Sequence, residues 1–148
     1  MSTLEEALSD TGLAAELRMG VMRLRRRLAI ERHPDNELSL GAMTVLGSLF
    51  RFGDMGIGDL AGAERVQPPS MTRTVTALEN EGYLVRRPHE TDRRQVVVSL
   101  TDLGRATLLA DRERRDAWLA RRLQELTPDD RETLCRAALL LQRLAQED

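Results

Sequence analysis

The first clear pattern in the chain is an apolar side chain at every third or fourth position over residues 11–32. The positions that follow this spacing are Leu13, Leu17, Val21, Leu24 and Leu28. Such spacing puts the apolar side chains on one face of a helix, so it predicts an amphipathic helix over this stretch. His33-Pro34 ends the helix, because the residue before a proline is pushed out of the helical region.

Three further helices are predicted before the chain changes character at residue 83. Ser39 is placed to cap a helix that ends near Gly53, and a short helix is expected over residues 58–64. Adjacent prolines are tolerated only in the first turn of a helix, where the amides have no partner. A fourth helix therefore begins at Pro68-Pro69 and runs to Gly82.

The next residues alternate between strand and turn signals. Short runs of apolar and β-branched residues lie at Tyr83–Val85 and Gln95–Leu100, with a polar, charged loop between them. This arrangement predicts a hairpin. Thr101 is placed to cap a long helix to about residue 126, and Thr127-Pro128 to open a last one. The expected fold is mainly α with a small β-hairpin, in the α+β class.

Composition narrows the class of protein. Of the 148 residues, 41% are apolar and 31% are charged, which is typical of a globular chain. No apolar run approaches the roughly 20 residues of a membrane-spanning helix, and the first residues lack the apolar core of a secretion signal. A single cysteine excludes an internal disulfide framework and fits a reducing compartment. We expect a cytoplasmic protein with no membrane partner.

The charge balance restricts how the chain can bind nucleic acid. Its 22 basic and 24 acidic residues give a net charge of −2, so it is not a polycation. All of these basic residues are arginines, whose planar, permanently charged guanidinium suits phosphate, guanine or carboxylate. A DNA-binding surface would therefore depend on where the arginines lie, and not on their number.

No constellation of residues points to catalysis. The chain has no zinc-binding His-Glu motif, no cysteine pair, no phosphate-binding loop and no nucleophile elbow. Its two histidines, His33 and His89, lie in separate polar turns. Gly56-Ile57-Gly58 lacks the spacing of a dinucleotide-binding loop, and we interpret it as a turn or a short strand. The sequence therefore disfavours an enzyme and predicts no cofactor and no metal.

Residues 57–100 carry the strongest functional pattern. A short helix, a tight turn, a second helix and a hairpin with a charged tip form the layout of a winged helix-turn-helix. In that layout the second helix enters the DNA major groove, where the base edges are distinguishable. The wing tip brings arginines suited to an A·T-rich minor groove. The residues that this layout offers to DNA are Gln67, Ser70, Thr72, Arg73, Thr74, Arg93 and Arg94.

The same residues also fit a plain solvent-exposed surface. Acidic residues balance the arginines of this segment in number, so its total charge does not favour DNA. Their placement does favour it, because Glu79 and Glu81 lie at the far end of the second helix. Asp92 stands two residues before Arg94, where its carboxylate is placed to orient that guanidinium.

Several of these residues belong to one longer pattern. Residues 78–87 read Leu-Glu-Asn-Glu-Gly-Tyr-Leu-Val-Arg-Arg, and Asp92-Arg93-Arg94 and Val98-Ser99-Leu100-Thr101-Asp102-Leu103-Gly104 follow. With Asp59-Leu60-Ala61 and Met71-Thr72-Arg73, this set resembles the MarR family of bacterial transcription regulators. The resemblance covers about residues 11–147. It implies an obligate homodimer on a palindromic double-stranded DNA operator, commonly released by a small aromatic effector.

The resemblance also implies roles for individual residues. Ser70, Thr72 and Arg73 match recognition-helix positions that contact DNA, whereas Asp92 and Arg94 match the Asp-x-Arg element of the wing. The full set of candidate DNA-binding residues is Gln67, Pro69, Ser70, Thr72, Arg73, Thr74, Arg86, Asp92, Arg93 and Arg94.

This chain departs from the family pattern at two places. Other members often carry an acid and a base in the early part of the wing, where this chain has His89 and Thr91. The double proline at residues 68–69 is the second departure, and it is expected to stiffen or tilt the start of the recognition helix.

The sequence predicts a single subunit over residues 1–148 with two kinds of region. A DNA-binding region is expected over 39–100, with a recognition helix over 68–82 and a wing over 88–94. The flanking helices, 11–32 and 101–147, are expected to dimerise, because so small a domain cannot bury their apolar stripes alone.

Two interpretations remain open at this point. The alternative to a DNA-binding regulator is a dimeric helical interaction module whose winged helix no longer reads DNA. Cys135 is interpreted as a small buried thiol in preference to a redox sensor, because Leu134 and Ala137 lie beside it.

Overall fold

The computed structural model describes residues 3–146, apart from the side chain of Ala7. Within that stretch the helices are α1 (Leu4–Leu8), α2 (Asp10–Ile30), α3 (Leu40–Phe52), α4 (Ile57–Glu64), α5 (Pro68–Asn80), α6 (Asp102–Leu123) and α7 (Pro128–Leu144). The strands are β1 (Met55–Gly56), β2 (Leu84–Pro88) and β3 (Val96–Leu100). They form an antiparallel sheet in the order β1-β3-β2. The predicted fold class, mainly helical with a small sheet, is confirmed.

The helix ends predicted at Ser39, Gly53 and Thr127 coincide with observed caps, whereas α5 ends at Asn80, before the predicted end at Gly82. The hydroxyl of Ser39 accepts a hydrogen bond from the amide of Ala42 at 3.1 Å, and α3 ends at Gly53 with a φ of 80°. That backbone conformation favours glycine, because any side chain would be strained there. The hydroxyl of Thr127 likewise accepts from the amide of Asp130 at 3.2 Å, one turn into α7. These caps act within one turn of the chain, which is why the sequence predicts them well.

The structure contains two short elements, α1 and β1, in addition to the predicted helices and hairpin. α1 precedes the first predicted helix and is held by a capping box, in which Thr3 and Glu6 each accept a hydrogen bond from the other's amide. A helix this short does not show an apolar period, so the sequence pattern did not predict α1. β1 is the short strand allowed for at Gly56, and it pairs with β3, which makes a three-stranded sheet of the predicted hairpin.

The hydrophobic core lies among α3, α4, α5 and the sheet. Its largest fully buried apolar side chains are Leu46, Leu60, Leu84, Val45, Val75 and Val98. Each such side chain contributes roughly 1.5–3 kcal/mol relative to its exposed state. The helix-turn-helix and the wing therefore share one core, which holds α5 and the hairpin in a fixed relation.

The chain separates into two compact units. Arg32–Glu113 form one unit, which contains the core, α3, α4, α5 and the sheet. The residues up to Glu31 and those from Arg114 onward form the other, and α6 contributes to both. The predicted limits of the DNA-binding region, 39–100, and of the dimerisation helices stay predictions.

The terminal unit leaves its apolar stripe open to solvent in the single protomer. α2 and α7 bury none of their described residues, and Val21 and Leu141 are 43% and 37% exposed. Within this unit the guanidinium of Arg27 lies 4.4 Å from the centroid of the Trp118 ring and 2.9 Å from the carboxylate of Glu31. Despite these apolar stripes, no helix within residues 3–146 is long and apolar enough to cross a membrane.

The interpretation of Cys135 as a buried thiol is wrong for the protomer, since this cysteine is exposed. It rested on the assumption that Leu134 and Ala137 mark an inward face of α7. Leu134 is itself 47% exposed, so it does not mark a buried face of α7.

Candidate nucleic-acid interface

A tight turn fixes the orientation of α4 against α5. Arg65 ends α4 in the left-handed conformation, with a φ of 54°, and the amide of Val66 donates to the carbonyl of Ala61 at 3.0 Å. Gln67 is the N-cap of α5, and Pro68 is its first residue. The fixed φ of proline starts the helix directly, as predicted, so the prolines set the direction in which α5 leaves the turn.

Helical spacing divides α5 into a buried and an exposed face. The buried face consists of Met71, Val75 and Leu78, each no more than 3% exposed. Pro69, Thr72 and Arg73 lie three and four positions apart and are exposed, as is Gln67 at the entry of the helix. Because the core holds the buried face, the exposed one is free to enter a groove.

Hydrogen bonds already order the polar side chains of this exposed face. One guanidinium nitrogen of Arg73 donates to the hydroxyl of Ser70 at 3.2 Å. The hydroxyls of Thr72 and Thr74 donate to the carbonyls one turn back, at 3.0 and 3.2 Å. A hydroxyl that donates inward still has lone pairs for an outside donor. The predicted set is therefore grouped at the start of α5, with Ser70 and Thr74 half-buried.

The wing is the loop of residues 89–95 between β2 and β3, and it presents Arg93 and Arg94 to solvent. The carboxylate of Asp92 accepts hydrogen bonds from both the backbone amide and the Nε of Arg94, each at 3.2 Å. Apart from this contact the side chain of Arg94 extends outward, with 93% of it exposed. The predicted contact between the Asp92 carboxylate and the Arg94 guanidinium is therefore observed in the structure.

Arg86 occupies a different environment from the other candidates. Its Nη1 lies 2.7 Å from Oε1 of Glu79, its backbone amide donates to Oε2 of the same carboxylate at 3.0 Å, and its Nη2 donates to the hydroxyl of Thr76 at 2.9 Å. Arg86 therefore ties β2, the strand that leads into the wing, to the last turns of α5. Its role as a DNA contact stays a prediction. The sequence did not predict these contacts of Arg86 with Glu79 and Thr76, which we call the brace. It indicated only that Glu79 places a negative charge at the far end of the helix.

The neighbouring arginine is also paired within the protein. Arg87 on β2 forms an ion pair and hydrogen bond with Asp54, which precedes β1. This hydrogen bond holds the pKa of the Asp54 carboxyl below its usual range and outweighs the opposing effect of partial burial. The pKa of Arg87 is raised by the same contact. No sequence signal linked these two residues, which the sheet brings together across the β1-β3-β2 order.

The exposed face of α5 and the wing tip carry polar and charged side chains. Within residues 3–146 no group of three or more His, Cys, Asp or Glu side chains is close enough to hold a metal ion. The exposed polar groups of α5 and the wing are hydrogen-bond donors and acceptors of the kind that bind phosphates and base edges.

Comparison with known proteins decides the family. The MarR family model matches residues 38–96, which include α3, α4, α5 and the wing. The HTH-type transcriptional regulator ML2140 of Mycobacterium leprae is 42% identical over 139 residues, which span 94% of this chain and 96% of that protein. The chain belongs to the MarR family. As its relatives are helix-turn-helix transcriptional regulators, this MarR protein is a DNA-binding regulator.

Solved structures agree with this assignment. A transcriptional regulator protein from Pseudomonas aeruginosa matches with a TM-score of 0.83 and 34% identity, covering 95% of this MarR chain and 99% of that one. A single-site mutant of MepR from S. aureus, solved bound to an oligodeoxyribonucleotide, matches with a TM-score of 0.65 and covers 90% of this chain and 98% of its own. At 16% identity, the second match concerns the fold alone.

Proposed function

We propose that this MarR protein is a cytoplasmic homodimeric repressor that binds an inverted-repeat operator. In each half-site α5 enters the major groove, and the wing lies over the adjacent minor groove. Two-fold symmetry places the half-sites about one DNA turn apart, roughly 34 Å. Occupancy of such a site next to a promoter blocks transcription from it.

One observation carries the DNA-reading part of the proposal. The exposed face of α5 and the arginine-bearing wing are built on the same core, through Val75 and Leu78 on one side and Leu84 and Val98 on the other. Arg73 is assigned to a base edge or phosphate in the major groove, and Arg94 to the minor groove. The other proposed contacts are Gln67, Pro69, Ser70, Thr72, Thr74, Arg86, Asp92 and Arg93. The MepR mutant, which shares this fold and was solved bound to an oligodeoxyribonucleotide, supports DNA binding by a protein of this fold.

The terminal unit supports the homodimer. Its apolar side chains that remain exposed in the protomer include Leu13, Leu17, Val21, Leu134, Leu141 and Leu144. A stripe of this length is costly to leave in water, and a second copy covers it symmetrically. Leu141→Glu should therefore produce monomers in analytical ultracentrifugation, whereas Gln142→Glu, one residue further along α7, should leave the dimer intact. Dimers of the Leu141→Glu variant would exclude this interface.

We further propose that a small aromatic effector releases the operator. A cavity of about 530 Å³ adjoins α5, and Arg73, Ala77, Glu81, Tyr83 and Asp35 are among the residues that line it. A ligand that fits this cavity better in one conformation shifts the protein toward that conformation. Ala77→Trp would fill the cavity, so aromatic compounds that release the wild type should fail to release this variant. Unchanged release would place the effector elsewhere.

The experiment that tests the whole proposal is fluorescence anisotropy against the DNA upstream of the protein's own gene. A scrambled duplex is the control, and several salt concentrations give the number of phosphates neutralised. Binding to the native duplex at least about a thousandfold tighter than to the scrambled one is expected for a specific regulator. Equal and weak binding to both duplexes would count against this operator, and selection of bound fragments from a genomic library would then decide whether any site is read.

Variants separate the regulator from an interaction module that does not read DNA. Arg73→Ala and Arg94→Ala should each weaken operator binding by about tenfold or more, because each removes a direct DNA contact. Arg18→Ala removes an exposed arginine of α2 and serves as the charge-matched control. Normal operator binding by both variants would show that Arg73 and Arg94 are not the DNA contacts, whereas a wild type that binds no duplex specifically would favour the interaction module.

A further inference from the structure

Three hydrogen-bonding groups converge on one ring nitrogen at the tip of the wing. The backbone amides of Thr91 and Asp92 lie 3.2 Å from Nδ1 of His89, and the hydroxyl of Thr91 lies 3.1 Å from the same atom. A backbone amide can only donate, so Nδ1 must be present as an acceptor with a free lone pair. In a neutral imidazole this places the proton on Nε2.

Asp92 links His89 to the exposed side chain of Arg94. Asp92, whose amide is held by Nδ1 of His89, uses its carboxylate to accept from the amide and the Nε of Arg94, each at 3.2 Å. Backbone bonds close the loop around this chain of contacts, from His89 to Gln95 at 2.9 Å and from Gln95 to Asp92 at 3.0 Å. The orientation of Arg94 therefore depends on a turn that His89 closes.

The sequence of the loop explains why a side-chain acceptor is needed. Residues 89–95 contain neither glycine nor proline, the two residues that most readily form tight turns. Asn, Asp, Ser and Thr commonly accept from the amide two residues on and so stabilise a turn. Here the imidazole of His89 takes that place at the same spacing.

We propose that His89 is a positioning residue of the wing, which in its neutral Nε2–H form closes the tip and orients Arg94 through Asp92. The inference rests on the proposed DNA-binding function for its consequence, but the geometry of the wing is measurable without DNA. A preset guanidinium loses less conformational freedom when it enters a groove. Protonation would put a hydrogen on Nδ1 and convert the acceptor into a donor, which removes the partner of both amides.

Several charged side chains lie close to His89 in the sequence. Those of the same loop are Glu90, Asp92, Arg93 and Arg94, and the adjoining strand β2 carries Arg86 and Arg87. The latter two are engaged by Glu79 and Asp54. The test therefore follows the tautomer and the contacts of the His89 ring directly.

The first arm of the test uses NMR on the free full-length protein. Imidazole ¹⁵N spectra of the neutral ring should show Nδ1 of His89 without a proton. His89→Ala should shift these amides and the Nε–H signal of Arg94, whereas His89→Asn, which keeps a side-chain acceptor, should restore them. His33→Ala is the matched control, because Nδ1 of His33 accepts from the amide of Asp35 at 3.2 Å in a different loop. A proton on Nδ1 of the neutral ring, or wing signals that ignore His89→Ala, would overturn the inference.

The second arm measures affinity for a duplex that the wild type binds. His89→Ala should weaken binding by about tenfold, as expected when an ordered side chain becomes mobile, whereas His89→Asn and His33→Ala should stay close to the wild type. In an Arg94→Ala background the loss from His89→Ala should disappear. An equal loss in both backgrounds would show that His89 contacts DNA itself and would overturn the positioning role. If the wild type binds no duplex at all, the proposed function fails, and the NMR arm still decides whether His89 orders the wing.

Discussion

The side-chain amide of Asn36 donates to Oδ2 of Asp111 at 2.8 Å, across 75 residues of sequence. Asp111 lies on α6 and is fully buried, and its other oxygen accepts from the backbone amide of His33 at 2.9 Å. The guanidinium of Arg32 lies 3.6 Å away. One buried carboxylate therefore fastens the loop between α2 and α3 to α6, next to the core that carries α5.

Asp111→Ala should lower the free energy of unfolding by about 3 kcal/mol, because it leaves buried donors and a cation without their acceptor. Urea denaturation measures this loss. Asp116→Ala, an exposed position on the same helix, is the control and should change stability little. Equal midpoints for the two variants would mean that the loop does not depend on Asp111.

At Gly104, α6 lies close to the backbone of Tyr83, the residue before β2. A Cβ at this position would lie 2.1 Å from the carbonyl oxygen of Tyr83. Because this oxygen belongs to the backbone, the clash could be removed only by a shift of the backbone. Gly104→Ala should therefore destabilise the protein by about 2 kcal/mol in thermal or urea unfolding. Gly47→Ala is the matched control, since nothing lies within 4 Å of the added methyl inside α3. That change should be neutral or stabilising by about 0.5–1 kcal/mol, and a similar loss at both positions would contradict the steric explanation.

The brace between Arg86 and Glu79 should be visible in a double-mutant cycle. Their side chains are 28% and 32% exposed, and three hydrogen bonds join Arg86 to α5. We expect a coupling of about 1 kcal/mol between Arg86→Ala and Glu79→Ala in the free energy of unfolding.

The pair formed by Arg136 and Glu132 is the control for this cycle. It has the same chemistry at 2.9 Å, but its side chains are 71% and 66% exposed, so its coupling should be about 0.3 kcal/mol. Equal coupling in the two pairs would show that the brace adds nothing to the attachment of the wing.

The ion pair between Asp54 and Arg87 should make stability depend on pH in the acidic range. The pKa of Asp54 is lowered in the folded protein, chiefly by the hydrogen bond from Arg87, so the unfolded chain binds its proton more readily. The contribution is complete above the ordinary aspartate range and is lost as the pH falls through the lowered value.

The measurement is the urea midpoint of the wild type and of Asp54→Asn at neutral and at strongly acidic pH. The wild type should be the more stable at neutral pH, and the difference should vanish in acid. Asp116→Asn controls for the loss of an exposed carboxylate on α6. A difference that persists unchanged in acid would exclude the charge of Asp54 as its cause.

The order of the main helices and the position of the DNA-reading surface were predictable from short-range signals. Ser39, Pro68 and Thr127 each mark a helix start through contacts within one turn. The alternation of buried and exposed positions in α5 follows from helical spacing alone. The role of His89 also lies within three residues, but an imidazole is not among the usual turn-forming side chains, so the sequence did not predict it.

What the sequence by itself determined is therefore local: where helices and strands begin and end, which face of each is apolar, and which arginines stand at the tip of the wing. Only the tertiary structure decided the partners of Arg86, Arg87 and Asp111, which lie 7, 33 and 75 residues from the groups that they bind. The physical reason is that a cap or a periodic stripe depends on neighbouring residues. A hydrogen bond between distant segments, in contrast, exists only after the core has brought their backbones together.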